Sequence, residues 1–288
     1  MKILVTGADG QLGMSLRKIA AEYPSHDFVF AGLPDADITD REVMEKLMLK
    51  VAPDALVNCA AYTAVDKAEE EPEAAEKVNI TGPLVISSLA SDHGFTIAHI
   101  STDYVFDGNS GVPYSETDMP FPLNAYGATK LAGERVVELS GADAVVVRTS
   151  WLYSEFGSNF VRTMLRLAGE GRRINVVDDQ TGSPTYATDL ARAVIALLER
   201  KEKGFRLYNY AGEDRITWYG FARTIFSIAG IDVPVHPVTS ADYGAVARRP
   251  AYSALDTTLA RSMGLEVRSL QDSLSECLTE SGFPVKVF

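Results

Sequence analysis

Short apolar segments alternate with helix-like segments along the first half of the chain. The apolar segments that fit β-strands lie at residues 2–6, 28–31, 55–58, 96–101 and 144–148. Between them, the spacing of apolar positions fits helices near residues 11–22, 41–51, 73–92 and 126–139. Such alternation is typical of parallel β-α-β units with helices on both faces of a sheet. The pattern therefore predicts an α/β fold with a doubly wound parallel sheet.

The pattern changes after about residue 150. Helix-like segments remain at residues 189–200 and 218–229, but the stretch before them is interrupted at Gly157, Gly169, Gly171, Gly182 and Pro184. Glycine and proline are the strongest local breakers of regular structure. We therefore expect a first domain over residues 1–150 and a smaller domain formed mainly by residues 151–288, from which segments can return to the sheet.

The overall charge narrows the range of partners. The 288 residues carry a formal net charge of −12, whereas general binding to nucleic acid or to an anionic membrane needs a positive field. Only Cys59 and Cys277 are present, and their spacing supports neither a disulfide framework nor a zinc site. No segment approaches the roughly 20 apolar residues of a membrane span. We expect a cytoplasmic protein, a monomer or homodimer, whose partner is a small molecule rather than nucleic acid or a membrane.

A glycine-rich segment, GADGQLG, follows the first predicted strand at once and opens the first predicted helix. Gly7, Gly10 and Gly13 permit a tight turn and let the backbone approach a pyrophosphate, whose charge the amides of a helix N-terminus favour. The spacing is GxxGxxG rather than GxGxxG, and a glycine-rich turn without a ligand is the alternative. In this context the segment predicts a dinucleotide-binding Rossmann domain over residues 1–150.

The second predicted strand leaves the choice of dinucleotide open. An acidic residue near the end of this strand holds the ribose of NAD in many Rossmann domains. Here the strand ends at Gly32, and Asp35 and Asp37 come only later. NADPH and NADH therefore both remain candidates.

Tyr126 and Lys130 stand four residues apart at the start of a predicted helix, a spacing that puts both side chains on one face. A phenol has a reference pKa of about 10, and a neighbouring cation stabilises its anion, which eases proton transfer near neutrality. Thr102 follows the fourth strand, where a doubly wound sheet presents side chains to the cofactor crevice. Its hydroxyl can share a substrate carbonyl with Tyr126; a threonine that only caps its own turn is the alternative. The set predicts general acid catalysis beside a dinucleotide.

Seven segments of the chain match one known family in order and spacing: GADGQLG, NCAAYTAVDKAE, NITGP, STDYVFDG, NAYGATKLAGE, RTSWLY and DDQTGSPT. Together they resemble the dTDP-4-dehydrorhamnose reductases, which are extended short-chain dehydrogenases, over most of residues 1–190. The resemblance implies reduction of the 4-keto group of dTDP-4-dehydro-L-rhamnose to dTDP-L-rhamnose, with hydride from NADPH or NADH. The catalytic residues that it implies are Thr102, Tyr126 and Lys130.

The resemblance and the motifs together give the expected binding residues. The cofactor set, which includes the glycine turn, is Gly7, Gly10, Gln11, Leu12, Gly13, Asp37, Ile38, Ala60, Ala61, Tyr62, Thr63, Tyr126 and Lys130. The substrate set is Val65, Thr102, Asp103, Tyr104, Tyr126, Trp151 and Arg249. Trp151 would wall the sugar pocket, with core packing as its alternative role, and Arg249 would reach the diphosphate, with a solvated arginine as the alternative.

Residues after Thr102 favour reduction over related reactions. Similar sugar dehydratases carry Asp then Glu after the threonine, because elimination removes a proton from C5, whereas this chain has Asp103 followed by Tyr104. Members that epimerise place a cysteine in this segment, and here it reads Ser101, Thr102, Asp103. Some reductases of the family join two subunits through magnesium held by glutamates. This chain carries Met14, Ser15 and Thr188 at the corresponding positions, so we expect no metal.

Two other functions remain open at this point. Proteins that resemble these reductases also serve as non-catalytic partner subunits of methionine adenosyltransferase, which would bind a dinucleotide without a proton relay. A nucleotide-sugar epimerase with tightly held NAD would show no net consumption of cofactor. The intact set of Thr102, Tyr126 and Lys130 favours the reductase over the partner subunit.

Overall fold

The computed structural model of the protein describes residues 1–283 and Val285. Its strands, in chain order, are β1 (Lys2–Thr6), β2 (Asp27–Ala31), β3 (Ala55–Asn58), β4 (Thr96–Thr102), β5 (Ala144–Thr149), β6 (Leu152–Tyr153), β7 (Ile174–Val177), β8 (Thr181–Gly182), β9 (Thr185–Tyr186), β10 (Phe205–Asn209), β11 (Ile216–Thr217) and β12 (Val235–Val238).

The helices alternate with the strands. In chain order they are α1 (Gln11–Ile19), α2 (Arg41–Val51), α3 (Val65–Glu70), α4 (Pro72–Glu76), α5 (Gly82–His93), α6 (Ala125–Leu139), α7 (Phe160–Gly169), α8 (Ala187–Glu199), α9 (Trp218–Ala229), α10 (Ser240–Tyr243), α11 (Thr258–Ser262) and α12 (Leu270–Glu280). A π-helix covers Lys77–Thr81, and 3₁₀ turns cover Ala20–Glu22 and Asp103–Val105. Among the described residues, no helix combines the length and the apolar character needed to cross a membrane.

Six strands form one parallel sheet in the order β10-β5-β4-β3-β1-β2. The chain starts at β1, moves to β2 on one side, and then returns to β3 on the other side. Doubly wound sheets bind ligands at such a reversal, outside the carboxyl ends of the strands. The predicted doubly wound parallel sheet is confirmed, and each of its five predicted strands agrees with the observed one to within one residue at either end.

Helices cover both faces of this sheet. All six residues of β5 are buried, as expected for a parallel strand that is enclosed on both sides. Successive side chains of a strand point to opposite faces. Accordingly, Val147 packs with Leu16 of α1 and Val194 of α8, whereas Val146 packs on the other face with Ile86 of α5.

The second half of the chain forms a separate apolar cluster and also adds a strand to the main sheet. Val161 of α7, Phe221 of α9 and Leu274 of α12 form a separate apolar cluster, beside which β7 pairs with β12. Strand β10, in contrast, lies at the edge of the main sheet beside β5. We keep the division into residues 1–150 and 151–288 as a proposal.

The helical segment expected near residues 73–92 is observed over Pro72–His93, where a π-helix joins α4 to α5. Proline lacks an N–H, and its ring clashes with the carbonyl four residues earlier in an α-helix. Pro83 occupies the first turn of α5, and the amide of Gly82 bonds to the carbonyl of Lys77, five residues back. The wider turn thus accommodates the proline. It also positions Asn79, whose carbonyl oxygen lies against Gly133 of α6.

We predict that Gly133→Ala destabilises the protein by about 1–3 kcal/mol, since its new methyl group would overlap the carbonyl oxygen of Asn79. Gly169→Ala, the control at the end of α7, meets no atom within 4 Å and should be neutral or stabilising by up to about 1 kcal/mol. Urea unfolding followed by circular dichroism measures both. Equal midpoints for the wild type and Gly133→Ala would contradict the close approach of the two elements.

Candidate active site

The turn between β1 and α1 depends on glycine. Gly7 has a φ of +64°, and a Cβ on it would lie 2.5 Å from the backbone nitrogen of Ala60. Gly10 precedes α1 in an extended conformation and offers no side-chain cap, so the first amides of the helix lack partners from a capping side chain. An uncapped helix N-terminus binds phosphate through these amides and the helix dipole. The turn therefore fits the pyrophosphate of a dinucleotide.

A cleft of about 430 Å³ opens where β1, β3, β4 and β5 end. The residues with predicted roles that line it are Gly10, Gln11, Leu12, Ala60, Ala61, Thr63, Thr102, Asp103, Tyr126, Lys130 and Trp151. Lining residues that the sequence analysis missed are Asn58, Cys59, Ile100, Ser101, Thr149, Ser150, Leu152, Gly157 and Ser158. Predicted residues outside this lining are Gly7, Gly13, Asp37, Ile38, Tyr62, Val65, Tyr104 and Arg249.

Three of the residues outside the lining are engaged within the protein. Ile38 is buried against Gly82, the first residue of α5. The carboxylate of Asp37 accepts hydrogen bonds from the amide and hydroxyl of Thr39, at 2.9 and 2.8 Å, which lower its pKa. The Tyr62 hydroxyl donates to Glu71 at 3.0 Å. Their contacts with a cofactor stay predictions.

Thr102, Tyr126 and Lys130 all line the cleft. Thr102 is the last residue of β4, and its hydroxyl donates to Asp103 at 3.1 Å. Asn124 caps α6 by accepting from the amide of Gly127 at 2.7 Å, so Tyr126 and Lys130 fall in the first two turns of that helix. The Lys130 ammonium reaches across to β4 and donates to the carbonyl of Ile100 at 2.6 Å. The helix thereby presents a phenol and an ammonium to the end of the strand.

Burial shifts the pKa values of these groups. It raises the pKa of Tyr126 to about 12, against the lowering effect of the Thr102 hydroxyl, and lowers the pKa of Lys130 to about 8, against the attraction of Glu134. It also raises the pKa of Asp103 to about 7. In each case burial disfavours the charged form. The phenol therefore holds its proton at neutral pH, where most of the ammonium is still charged.

A buried ion pair anchors α6 behind this set. Glu134 lies one turn after Lys130 and binds Arg148 of β5 through two hydrogen bonds of 2.9 and 2.7 Å. Ser101 of β4 donates to the same carboxylate. A buried charge needs such partners, because removing one of them leaves the other uncompensated. Sequence reasoning missed the pair because Glu134 and Arg148 belong to different elements.

Two buried asparagines shape the loop after β3, another feature that the sequence analysis missed. Asn58 accepts from the hydroxyl of Thr6 at 2.9 Å and from the amide of Ala60 at 3.1 Å. Asn79 of the π-helix accepts from the amide of Tyr62 at 2.9 Å and donates to its carbonyl at 3.1 Å. Backbone groups that would otherwise lack partners are thus satisfied. The loop can present Ala60, Ala61 and Thr63 to the cleft in one conformation.

Trp151 closes the far side of the cleft. Its φ of +46° lies in the left-handed region, which costs a non-glycine residue about 1–3 kcal/mol and is often found at functional sites. Its indole stacks on that of Trp218, with ring centres 3.5 Å apart and planes at 6°. Trp218 lines a neighbouring pocket of about 310 Å³, together with Phe160 and Arg249. The two indoles therefore form the wall between the cleft and this pocket.

Arg249 is held at the edge of the pocket by an ion pair. Its guanidinium donates to both carboxylate oxygens of Asp66, at 3.0 and 2.7 Å. Tyr104, whose ring meets the ring of Tyr126 edge-on at 5.8 Å, has its pKa raised by burial. Val65 begins α3, next to Asp66. The predicted substrate contacts of Arg249, Tyr104 and Val65 stay predictions.

A phenol and a buried ammonium thus line one cleft at the edge where doubly wound sheets bind dinucleotides, an arrangement suited to proton transfer beside hydride transfer. The class defined by fold and site is the extended short-chain dehydrogenases, a group of nicotinamide-dependent oxidoreductases. Within that class, the chain belongs to the family of the RmlD substrate binding domain, whose model matches residues 1–282.

Known proteins of high similarity agree with this assignment. The chain is 38% identical to a dTDP-4-dehydrorhamnose reductase of Aggregatibacter actinomycetemcomitans over 284 residues, which covers 95% of this chain and 97% of that one. A solved dTDP-4-dehydrorhamnose reductase of Clostridium acetobutylicum is 39% identical and superposes with a TM-score of 0.93, covering 98% and 100% of the two chains. The reductase of Bacillus anthracis, solved in complex with NADP, is 37% identical with a TM-score of 0.92, covering 97% and 99%. The predicted family is confirmed.

We predict that Gly182→Ala disturbs the indole pair, because a Cβ on Gly182 would overlap the indole of Trp151. Trp151 and Trp218 are the only 2 tryptophans of the chain, so their stack should dominate the near-ultraviolet circular dichroism of tryptophan. That signal should fall by about half or more, and the exciton contribution of the stacked indoles to the far-ultraviolet spectrum should fall with it, while the helical signal is kept because Gly182 lies in β8. Gly169→Ala is the matched control. An unaltered near-ultraviolet spectrum in Gly182→Ala would contradict the contact.

Proposed function

We propose that this protein reduces the 4-keto group of dTDP-4-dehydro-L-rhamnose to dTDP-L-rhamnose, using NADH or NADPH, in nucleotide-sugar biosynthesis. The observation that supports it best is that Thr102, Tyr126 and Lys130 line one cleft together with Gly10 of the glycine turn. The names of the similar proteins support the same substrate.

Tyr126, Thr102 and Lys130 have different roles in the proposed reaction. A bound nicotinamide supplies the hydride. Tyr126 donates its proton to the keto oxygen as charge develops there, and Thr102 orients that oxygen through its hydroxyl. Lys130 stabilises the phenolate that remains, because a cation nearby favours the charged form of a phenol. Its bond to the carbonyl of Ile100 holds the ammonium in place for this role.

The residues around the set favour reduction over elimination. Asp103 follows Thr102, is buried, and has its pKa raised to about 7, while the next residue is Tyr104 rather than a glutamate. The carboxylate pair that would take a proton from C5 is therefore incomplete. Cys59 lines the cleft, and desolvation raises the pKa of its thiol. The thiol therefore stays protonated at neutral pH and is a poor base for epimerisation.

An absorbance assay tests the proposal directly. The oxidation of NADH and of NADPH should be followed with dTDP-4-dehydro-L-rhamnose (dTDP-4-keto-6-deoxy-L-mannose), and then with the GDP and UDP derivatives of the same sugar. Stoichiometric oxidation with the dTDP sugar is the expected result. Dinucleotide binding without oxidation on any of the three sugars would favour a non-catalytic partner subunit, and sugar conversion without net oxidation would favour an epimerase.

We propose a cytoplasmic location, a monomer or homodimer, and no nucleic-acid partner. The net charge of −12 and the two free cysteines, Cys59 and Cys277, support a small-molecule enzyme of a reducing compartment.

We predict that Tyr126→Phe lowers kcat by about 100-fold or more, because general acid catalysis contributes about 10²–10⁴-fold. The affinity for the dinucleotide should change little, since the variant loses the hydroxyl that donates the proton but keeps the ring. Tyr219→Phe, on α9 and outside the lining of the cleft, is the control and should match the wild type. Turnover of Tyr126→Phe within a few fold of the wild type would refute the assignment of the acid.

We also predict a fall in kcat/KM for reduction as the pH rises through about 8. The pKa of Lys130 is lowered to about 8, so its ammonium loses charge there, whereas the pKa of Tyr126 is raised to about 12 and its proton stays. Lys130→Met lacks the titrating group and should show a lower rate without this fall, as well as weaker dinucleotide binding. A wild-type profile that stays flat to pH 9.5, with circular dichroism unchanged, would contradict the role of Lys130.

A further inference from the structure

The end of β2 lacks the side chain that selects a dinucleotide in many Rossmann domains. An acidic residue near this point accepts hydrogen bonds from the adenosine ribose of NAD, whereas an arginine accommodates the 2′-phosphate of NADP. In this chain β2 ends at Ala31, and the next residue is Gly32. The end of β2 therefore has no polar side chain that could distinguish NADH from NADPH.

The carboxylate of Asp9 lies where a side chain on Gly32, just after β2, would project. Asp9 belongs to the glycine turn, and a Cβ on Gly32 would overlap Asp9 Oδ2 and lie 3.0 Å from Asp9 Cγ. The turn is tied to the strand end, since the amide of Ala8 donates to the carbonyl of Ala31 at 3.3 Å. A carboxylate from the first turn thus lies where a side chain from the strand end would otherwise reach.

Charges around this position are mostly negative. The turn at residues 7–13 and the segment 31–40 contain no lysine or arginine, and the segment adds Asp35, Asp37 and Asp40. Arg41, the next basic residue, is engaged with Asp92 at 2.8 Å. The hydrogen bonds from Thr39 lower the pKa of Asp37, and the charge of Lys77 adds a smaller lowering. Arg17 lies over the ring of Phe30, 4.5 Å from its centre. A 2′-phosphate placed here would therefore lie beside the carboxylate of Asp9, and neither segment supplies a lysine or arginine to pair with it.

We propose that Asp9 makes this protein prefer NADH over NADPH. The carboxylate accepts hydrogen bonds from the ribose hydroxyls of NADH, and it repels the 2′-phosphate of NADPH through like charge. The inference rests on the proposed function, which needs a nicotinamide cofactor of either kind.

Dinucleotide binding in the absence of sugar tests the inference. The dissociation constants of NADH and NADPH should be measured by titration calorimetry on the wild type, Asp9→Asn and Asp9→Ser. We expect the wild type to bind NADH about tenfold or more tightly than NADPH, and both variants to reduce that ratio about fivefold or more. The wild-type ratio should also shrink as salt rises from about 0.05 to 0.5 M, because exposed charges are screened.

Two further variants separate position from charge. Asp27→Asn removes the same charge at the opposite end of β2 and should keep the wild-type ratio, since Asp27 begins that strand. Asp9→Ser combined with Gly32→Asp moves the carboxylate onto the strand end and should restore the preference for NADH.

Equal affinities in the wild type, or an unchanged ratio in Asp9→Asn, would overturn the role of Asp9 while leaving the proposed function intact. Failure to bind either dinucleotide would instead overturn the proposed function, and this inference with it.

Discussion

The buried ammonium of Lys130 is the constraint on which the rest of the site depends. Burial of a charge is costly unless partners compensate for it. The carbonyl of Ile100 accepts its hydrogen bond at 2.6 Å, and Glu134 attracts it from one turn further along α6. Glu134 is itself buried and requires the guanidinium of Arg148. The position of one lysine thus ties α6 to β4 and, through Arg148, to β5, so the phenol of Tyr126 has a defined place beside the strand end.

The same strand ends shape the rest of the cleft. Parallel strands bring their carboxyl ends to one edge of the sheet, so the glycine turn after β1 and Thr102 at the end of β4 share one opening. Trp151 follows β5 and stacks on Trp218 of α9, and both indoles pack against the apolar cluster formed by α7, α9 and α12. The indole pair is therefore where the sheet and this cluster meet, and it separates the cleft from the pocket beside it.

Sequence patterns predicted the elements that depend on local spacing. Five of the six sheet strands followed from runs of apolar residues, and the face shared by Tyr126 and Lys130 followed from a separation of four residues in a helix. The edge strand β10 was not among the predicted strands. The helical segment at residues 73–92 was predicted as well, but the π-helix within it was not, because a single turn with i→i+5 bonds is too short to give a periodic signal of its own. The buried Asn58 and Asn79 were missed for a related reason. An isolated polar residue gives no periodic signal, and its role depends on backbone groups that lie elsewhere in the fold.

Local order along the chain specified the type of sheet, the glycine turn and the residue types suited to proton transfer, because strand periodicity, turn preference and helical spacing act over a few residues. The strand order specified the rest. It brought Asp9 against Gly32, Glu134 against Arg148 and Trp151 against Trp218, and these pairs belong to different elements. Contacts of this kind depend on which strands are neighbours and how helices pack on them. Interactions within a single segment do not contain that information, so folding of the whole chain was needed to define them.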